Sequence, residues 1–198
     1  MATESNIYAD PVEIYIGNIL TAEFPEEDDT DTGVLVFDTT AWYKVGFTQD
    51  ATNLIYEPTY QEKSVNESLN AIGQILTGEK TTLEFNIAEK DLESLSYAMG
   101  VATYSEVAKG ASQAAKAIMK VGDKSGVEYF KIAMVGKSPQ GYYRLFKGYK
   151  AGSMGGVTLA HNKEAASYAV KFQLFSDMAR AAGDRVFSIV DMTDTPTS

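Results

Sequence analysis

The run Thr82-Leu83-Glu84-Phe85-Asn86-Ile87 alternates polar and apolar side chains without a break. That period places Leu83, Phe85 and Ile87 on one face and Thr82, Glu84 and Asn86 on the other, so the segment must lie extended. A second run repeats the pattern: Tyr168, Val170, Phe172 and Leu174 alternate with Ala169, Lys171 and Gln173. A half-buried strand needs partners for its backbone groups and a cover for its apolar face. The chain must therefore build a sheet, and further strand-like runs are present. They lie at 12–16, 19–24, 34–38, 42–47, 53–57, about 62–67, 142–149, 157–160 and 185–190. Val127 to Val135 is apolar apart from Glu128 and Lys131, the mark of a central, buried strand. Pro58 interrupts the run Asn53 to Glu57.

One segment has the other period. Leu92, Leu95 and Met99 recur at helical spacing within Ala88 to Met99. Asn86 is placed to cap it, Glu89 and Asp91 favour its first turn, and Gly100 suits its end. Ser105 to Gln113 reads two ways: the alanines of 111–117 favour helix, while Gly110 and the following Ile118 to Val121 suggest a loop running into a strand. Gly122 to Gly126, Gly136 to Gly141 and Gly152 to Gly156 mark turns. The class is mostly β, a β-sandwich or partial barrel with one flanking α-helix. The expected organisation is a single domain over 1–198, with an acidic N-terminal segment to about residue 43 and a loose tail at 191–198.

Between strands 53–57 and 80–87 lies Gln61 to Gly78, too polar for a core and too long for a tight turn. Connections of that length in a compact domain are commonly functional.

The charge is unevenly placed. Residues 1–43 hold ten acids and no Lys or Arg, whereas from Lys44 onward 17 acids balance 17 bases. The whole net charge of −10 thus sits in the first quarter. No basic footprint for a nucleic-acid backbone is visible, and the plain reading is a solvated acidic surface. The chain has no cysteine, which excludes disulfide scaffolds and thiolate metal sites. The N-terminal MATESNIYADP lacks the basic and apolar regions of a secretory signal, and no apolar run is long enough to span a bilayer, so membrane insertion is not expected.

Motifs for chemistry fail on inspection. Gly73 to Lys80 has the glycine spacing of a phosphate loop, but Glu79 stands where lysine is required and a strand follows. Asp28 to Gly33 resembles a calcium loop without its closing Glu; position 39 is Thr. His161 is the only histidine, and it has no partner for a metal site. Ser153 sits in a Gly-rich turn that is not a nucleophile elbow. Trp42, Tyr43 and Phe47 can be a ligand platform or ordinary strand aromatics. No enzyme activity and no cofactor are expected.

Val45-Gly46-Phe47-Thr48-Gln49-Asp50, Tyr56-Glu57-Pro58, Ile75-Leu76-Thr77-Gly78-Glu79-Lys80-Thr81-Thr82-Leu83 and Ala88-Glu89, taken in order, resemble the major tail tube proteins of long-tailed (siphovirus-type) bacteriophages. The closing pattern from Tyr168 through Val186 to Val190 fits the same family. The likeness covers about 40–191 and is specific at 45–89. It departs at Ala51, where the family pattern has Gly, and the acidic segment before residue 44 has no counterpart.

The resemblance implies hexameric rings stacked into a hollow tube in the virion tail, made in the host cytoplasm, with a continuous inner β-barrel shared by the subunits. Four strands from each of six subunits at about 4.8 Å spacing give a barrel roughly 40 Å across, wide enough to leave a channel. DNA passes through it without specific binding. The other partners implied are further copies of the chain and the tape-measure and tail-terminator or tail-tip proteins. Lumen-facing candidates are Glu57, Glu62, Glu67, Glu84 and Asn86. Inter-subunit candidates in the 61–78 connection are Ser68, Asn70, Ile72, Gln74 and Leu76. Competing readings are a tube subunit of a contractile or bacteriocin-type machine, and a monomeric β-sandwich module recognising a glycan or protein.

Overall fold

Backbone pairing dominates the architecture. A computed structural model of the chain describes residues 12–25, 35–46, 48–64, 72–88, 91–122, 126–138, 141–158 and 167–193. The elements are β1 (Glu13–Asn18), β2 (Trp42–Lys44), β3 (Thr48–Lys63), β4 (Gly73–Ile87), α1 (Leu92–Met99), β5 (Ala102–Val107), β6 (Lys116–Val121), β7 (Tyr129–Lys137), β8 (Tyr143–Ser153), β9 (Tyr168–Leu174) and β10 (Phe187–Asp191). Eight strands form one antiparallel sheet in the order β2-β1-β7-β8-β9-β4-β3, with β10 also pairing β8. Among the described residues the fold is mostly β with one helix. The sheet is open, with β2 and β3 at its edges, rather than a closed barrel.

β7 is central, flanked by β1 and β8, and buries Phe130, Ile132, Ala133 and Met134. β8 divides one edge between two partners: Arg144 to Gly148 pair with β10, and Ala151 to Ser153 pair with β9. The sheet is bent, because Tyr56 of β3 meets Phe187 of β10 edge to face, 6.4 Å between ring centroids. The main core lies on one face. It joins Ile14 and Ile16 of β1, Ile132 of β7, Phe172 and Leu174 of β9 and Leu83 and Phe85 of β4 with Leu95 and Ala98 of the helix.

A second cluster, around Trp42, Ala133, Tyr143 and Leu145, occupies the opposite face of β1, β7 and β8. Its cover comes from 19–25 and 35–41, where strands were expected at 19–24 and 34–38. The described part of these segments is turn and irregular chain. Leu35 and Phe37 alternate with exposed Val36 and Asp38 because one side lies on the sheet, not because the backbone joins a ladder. Phe37 stacks on Tyr15 at 4.0 Å between centroids, and Trp42 Nε1 donates to the Glu23 carbonyl at 2.7 Å. The aromatics Trp42 and Tyr43 are thus structural: Tyr43 Oη donates to Asp91 at 3.0 Å and lies 2.7 Å from Ser94 Oγ. Phe47 lies outside the described residues.

The helix starts at Leu92, later than the expected Ala88, and its cap is Asp91, not Asn86. Asp91 has extended backbone angles and accepts from the Ser94 N–H at 2.7 Å. Asn86 instead belongs to β4, opposite Ala169. Gly100 closes the helix at φ 65, and a Cβ there would sit 2.6 Å from the Ser153 Cβ. Of the expected stripe only Leu95 is fully buried; the small Ser94, Ser96 and Ala98 let the helix lie close to the sheet.

The alanine-rich stretch is not helical. β5 and β6 form a separate two-stranded ribbon, with Ala114 and Ala115 exposed in its connection. Residues 111–117 offer no apolar stripe to bury, and a short helix without one is not stable in water. The strand expected at 157–160 is absent at 157–158, and 159–160 lie outside the described residues. β8 runs on through Gly152 to Ser153, past the expected break.

Candidate assembly surface

The polar connection expected over 61–78 is largely strand. β3 continues to Lys63 and β4 begins at Gly73. Polar side chains do not prevent a strand whose faces both meet solvent, because the ladder satisfies the backbone. Pro58 does not end β3 either. It lies opposite Glu79 on the edge strand of the sheet, where a missing N–H costs least.

β9 covers only the near half of this hairpin. Its register runs from Tyr168 opposite Ile87 to Leu174 opposite Thr81. Thr81, Thr82 and Leu83 are buried, whereas every residue from Gly73 to Lys80 is exposed. Those eight residues project about 27 Å beyond the end of β9 at roughly 3.4 Å each. The result is a two-stranded arm whose outer edges no described residue pairs, closed at its described end by the Ile72 N–H donating to the Lys63 carbonyl at 2.8 Å.

The arm is not uniformly polar. Tyr60 is 56 % exposed, Ile75 53 % and Leu76 49 %. Ile55, Tyr56 and Ile72 are exposed as well. Six large apolar side chains on one hairpin are a concentrated liability in a monomer, as are its unpaired edges. Alternation sorts them onto two faces. One, continuous with core Leu83, carries Tyr56, Pro58, Tyr60 and Glu62 with Glu79, Leu76 and Gln74 across the ladder. The other, continuous with Glu84, carries Ile55, Glu57, Thr59, Gln61 and Lys63 with Lys80 and Ile75. A bulge at Thr77, whose hydroxyl donates to the Thr59 carbonyl at 3.2 Å, increases the twist between the near and far parts.

This geometry divides the sequence candidates. Glu57, Glu84 and Asn86 share a face, whereas Glu62, five residues from Glu57, points to the other side of the same strand. The shared face is mixed in charge: Glu57 stands opposite Lys80, and Glu84 is ion-paired with Lys171. Both members of that pair are substantially exposed, so the pair adds little stability. Of the inter-subunit candidates, Ile72, Gln74 and Leu76 are exposed at the arm's end, Gln74 and Leu76 within β4 rather than a loop. Glu67, Ser68 and Asn70 lie outside the described residues. Ile55, Tyr60 and Ile75 belong with them and were not singled out from sequence. The available signal was that each is an isolated apolar residue within a polar run that remains strand.

The positions considered for chemistry fall elsewhere. Gly73 to Lys80 is extended strand. The Ser153 hydroxyl donates to the Ala98 carbonyl at the helix end. Asp28 to Gly33 and His161 lie outside the described residues. Among the described residues no group of three His, Cys, Asp or Glu is placed to hold a metal, and no helix is long and apolar enough to cross a membrane. No protein-family model matches the chain, and no curated protein matches it.

Proposed function

We propose that this chain is a structural subunit of a hollow tube, of the kind built by the tail tube proteins of long-tailed phages. Six copies close into a ring, rings stack, and DNA passes along the bore to the host. The observation that carries the reading is the β3–β4 arm: a long hairpin with free edges and exposed Ile55, Tyr60, Ile75 and Leu76, which a neighbouring copy would cover. The resemblance of 45–89 to the tail tube family falls on that same hairpin. Ring closure by strand pairing would also remove the open edge at β3. In a virion the ends of such a tube would meet the tape-measure and the terminator or tip proteins.

Electron microscopy of the purified protein over a range of concentration and ionic strength is the test. Rings or tubes are the expected result; a strict monomer throughout would overturn the proposal and favour a monomeric module recognising a glycan or protein. Within the tube reading, Glu57, Glu84 and Asn86 are taken together as candidates for the bore, since they share a face, while Glu62 lies on the other face of the strand. Lysine at Glu57 and Glu84 together is expected to slow DNA delivery with assembly intact; lysine at Glu62 alone is not.

A further inference from the structure

The β5–β6 ribbon stands apart from the main sheet and carries the opposite charge from the start of the chain. Residues 102–121 hold Lys109, Lys116 and Lys120 against one acid, Glu106. Alternation sorts the ribbon's side chains onto two faces. One face turns to the body: Ala102 is buried, and Met119, opposite Tyr104, packs against the main core. Glu106 lies on this face and accepts from the Tyr104 hydroxyl at 2.6 Å. Glu93 and Asp91 at the helix start also act on Tyr104, so the acids of this region lie toward that side. The outer face carries Lys116, Ile118 and Lys120, opposite Val107, Ser105 and Thr103. It holds no carboxylate. Both lysines are exposed, and neither has an ion-pair partner among the described residues. β6 pairs only with β5, so no described residue takes its other edge.

The counter-charge is in the chain itself. Residues 26–34 lie outside the described residues and include five acids, Glu26, Glu27, Asp28, Asp29 and Asp31, with no Lys or Arg. The described chain on either side, at Phe24 and Leu35, packs against the Trp42 cluster, on the face of the sheet opposite the ribbon. A connection of this length tied at both ends reaches about 17 Å from them, at roughly 3.4 Å per residue. Layers on opposite faces of one sheet stand about 20 Å apart, twice the usual packing distance of ~10 Å, and the two lysines face away from the sheet. The reach favours another copy's ribbon over the chain's own. Copies that each carry a net charge of −10 repel one another unless such acids meet bases. The spacing also matches. Lys116 and Lys120 are four residues apart along β6, about 14 Å, and Glu27 and Asp31 keep the same interval in an extended chain.

We propose that the outer edge of β6 is the seat for the acidic segment 26–34 of a second copy, which adds as a strand with Glu27 and Asp31 across from Lys116 and Lys120. The inference rests on the tube reading and names one contact between its copies. Lys116→Glu with Lys120→Glu in one chain, and Glu27→Lys with Asp31→Lys in another, are each expected to raise the concentration needed for assembly about tenfold. An equal mixture of the two variants is expected to assemble as the wild type does, because each acidic segment then finds a basic ribbon on the other variant and each basic segment an acidic one. That rescue operates only between copies. Carbodiimide coupling of assembled wild-type protein, made from heavy-isotope-labelled and unlabelled chains, is expected to join 26–34 of one copy to Lys116 or Lys120 of another, read by peptide mass spectrometry. Charge-reversed variants that assemble normally, a mixture that gains nothing, or coupling confined to single copies overturn the seat and leave the tube reading standing. A wild-type chain that never assembles removes the tube reading, and the seat with it.

Discussion

Thr81–Ile87 and Gly73–Lys80 are one strand in two environments. The first half is paired on both edges and buries Leu83, Phe85 and Ile87; the second is paired on one edge and buries nothing. Both halves contain apolar residues, so hydrophobicity alone does not separate them. What separates them is a neighbour: β9 ends at Leu174, opposite Thr81. The near half belongs to the folding core, and the far half is an extension whose apolar content has no use within one copy. The sharpest way to break this division is to remove core from the near side. Phe172, fully buried opposite Leu83, packs tilted against Phe85 with ring centroids 6.0 Å apart and meets Phe130 edge to face. Phe172→Ala is expected to cost about 3–5 kcal/mol, read as a lowered urea midpoint.

Glycines test the same contrast by addition. A Cβ at Gly100 would lie 2.6 Å from Ser153 Cβ, and its φ of 65 disfavours any side chain. At Gly73, on the arm, a Cβ would meet nothing within 4 Å. Gly100→Ala is expected to destabilise by about 1–3 kcal/mol through crowding and backbone strain. Gly73→Ala is expected to change the thermal midpoint little. Equal effects at the two positions would contradict the division.

The helix that braces the near half gives a smaller, pH-dependent effect. Burial opposes the charge on Asp91, but hydrogen bonds from the Ser94 hydroxyl and N–H and from Tyr43 outweigh it and hold the carboxyl below its ordinary value. A lowered folded-state pKa means that this contribution is complete above the ordinary value of 3.8 and is lost as pH falls through the lowered one. Asp91→Ala is expected to cost about 1 kcal/mol at neutral pH, as for loss of an N-cap. The difference between the two proteins should shrink below about pH 4, measured by urea unfolding across pH.

The sequence made the near half legible and the far half obscure for a physical reason. Alternation in Thr82 to Ile87 and Tyr168 to Leu174 reports burial on one face, and those strands are found where expected, paired to each other. The far half has no buried face, so it leaves no such record; its strand character comes from the backbone ladder, which composition does not encode. The same cause left the alanine stretch readable two ways; the loop running into a strand is the one that forms, with β5 and β6 pairing with little burial. The converse error occurred at Leu35 to Asp38, where alternation is present without a ladder because the segment lies across a sheet face. Asp91 was visible as a first-turn acid, yet the cap cannot be assigned from residue type while Asn86 is also available. Glu57 and Glu84 against Glu62 was decidable from odd spacing once β3 was known to run unbroken through Pro58.

The smallest expected effect on stability is the most informative about the arm. Ile75 and Leu76 are adjacent, so they project from opposite faces, and both are about half exposed. Ile75→Ser with Leu76→Ser removes apolar surface that the single copy never hides. The change in unfolding free energy should stay within about 0.5 kcal/mol, as for exposed positions generally. If a neighbour covers these residues in an assembly, the same double variant should instead abolish rings and tubes, because burying each large aliphatic side chain contributes about 1.5–3 kcal/mol to every contact it joins. Hydrogen exchange supplies the internal control. In the monomer, amides of Thr81 to Ile87 should exchange only with global unfolding and those of Gly73 to Lys80 through local opening. Assembly should slow exchange in the arm of the wild-type chain, and the variant should show no such slowing. A variant that unfolds at markedly lower urea would mean that the arm packs on its own subunit, and one that assembles normally would mean that the arm is not where the copies meet.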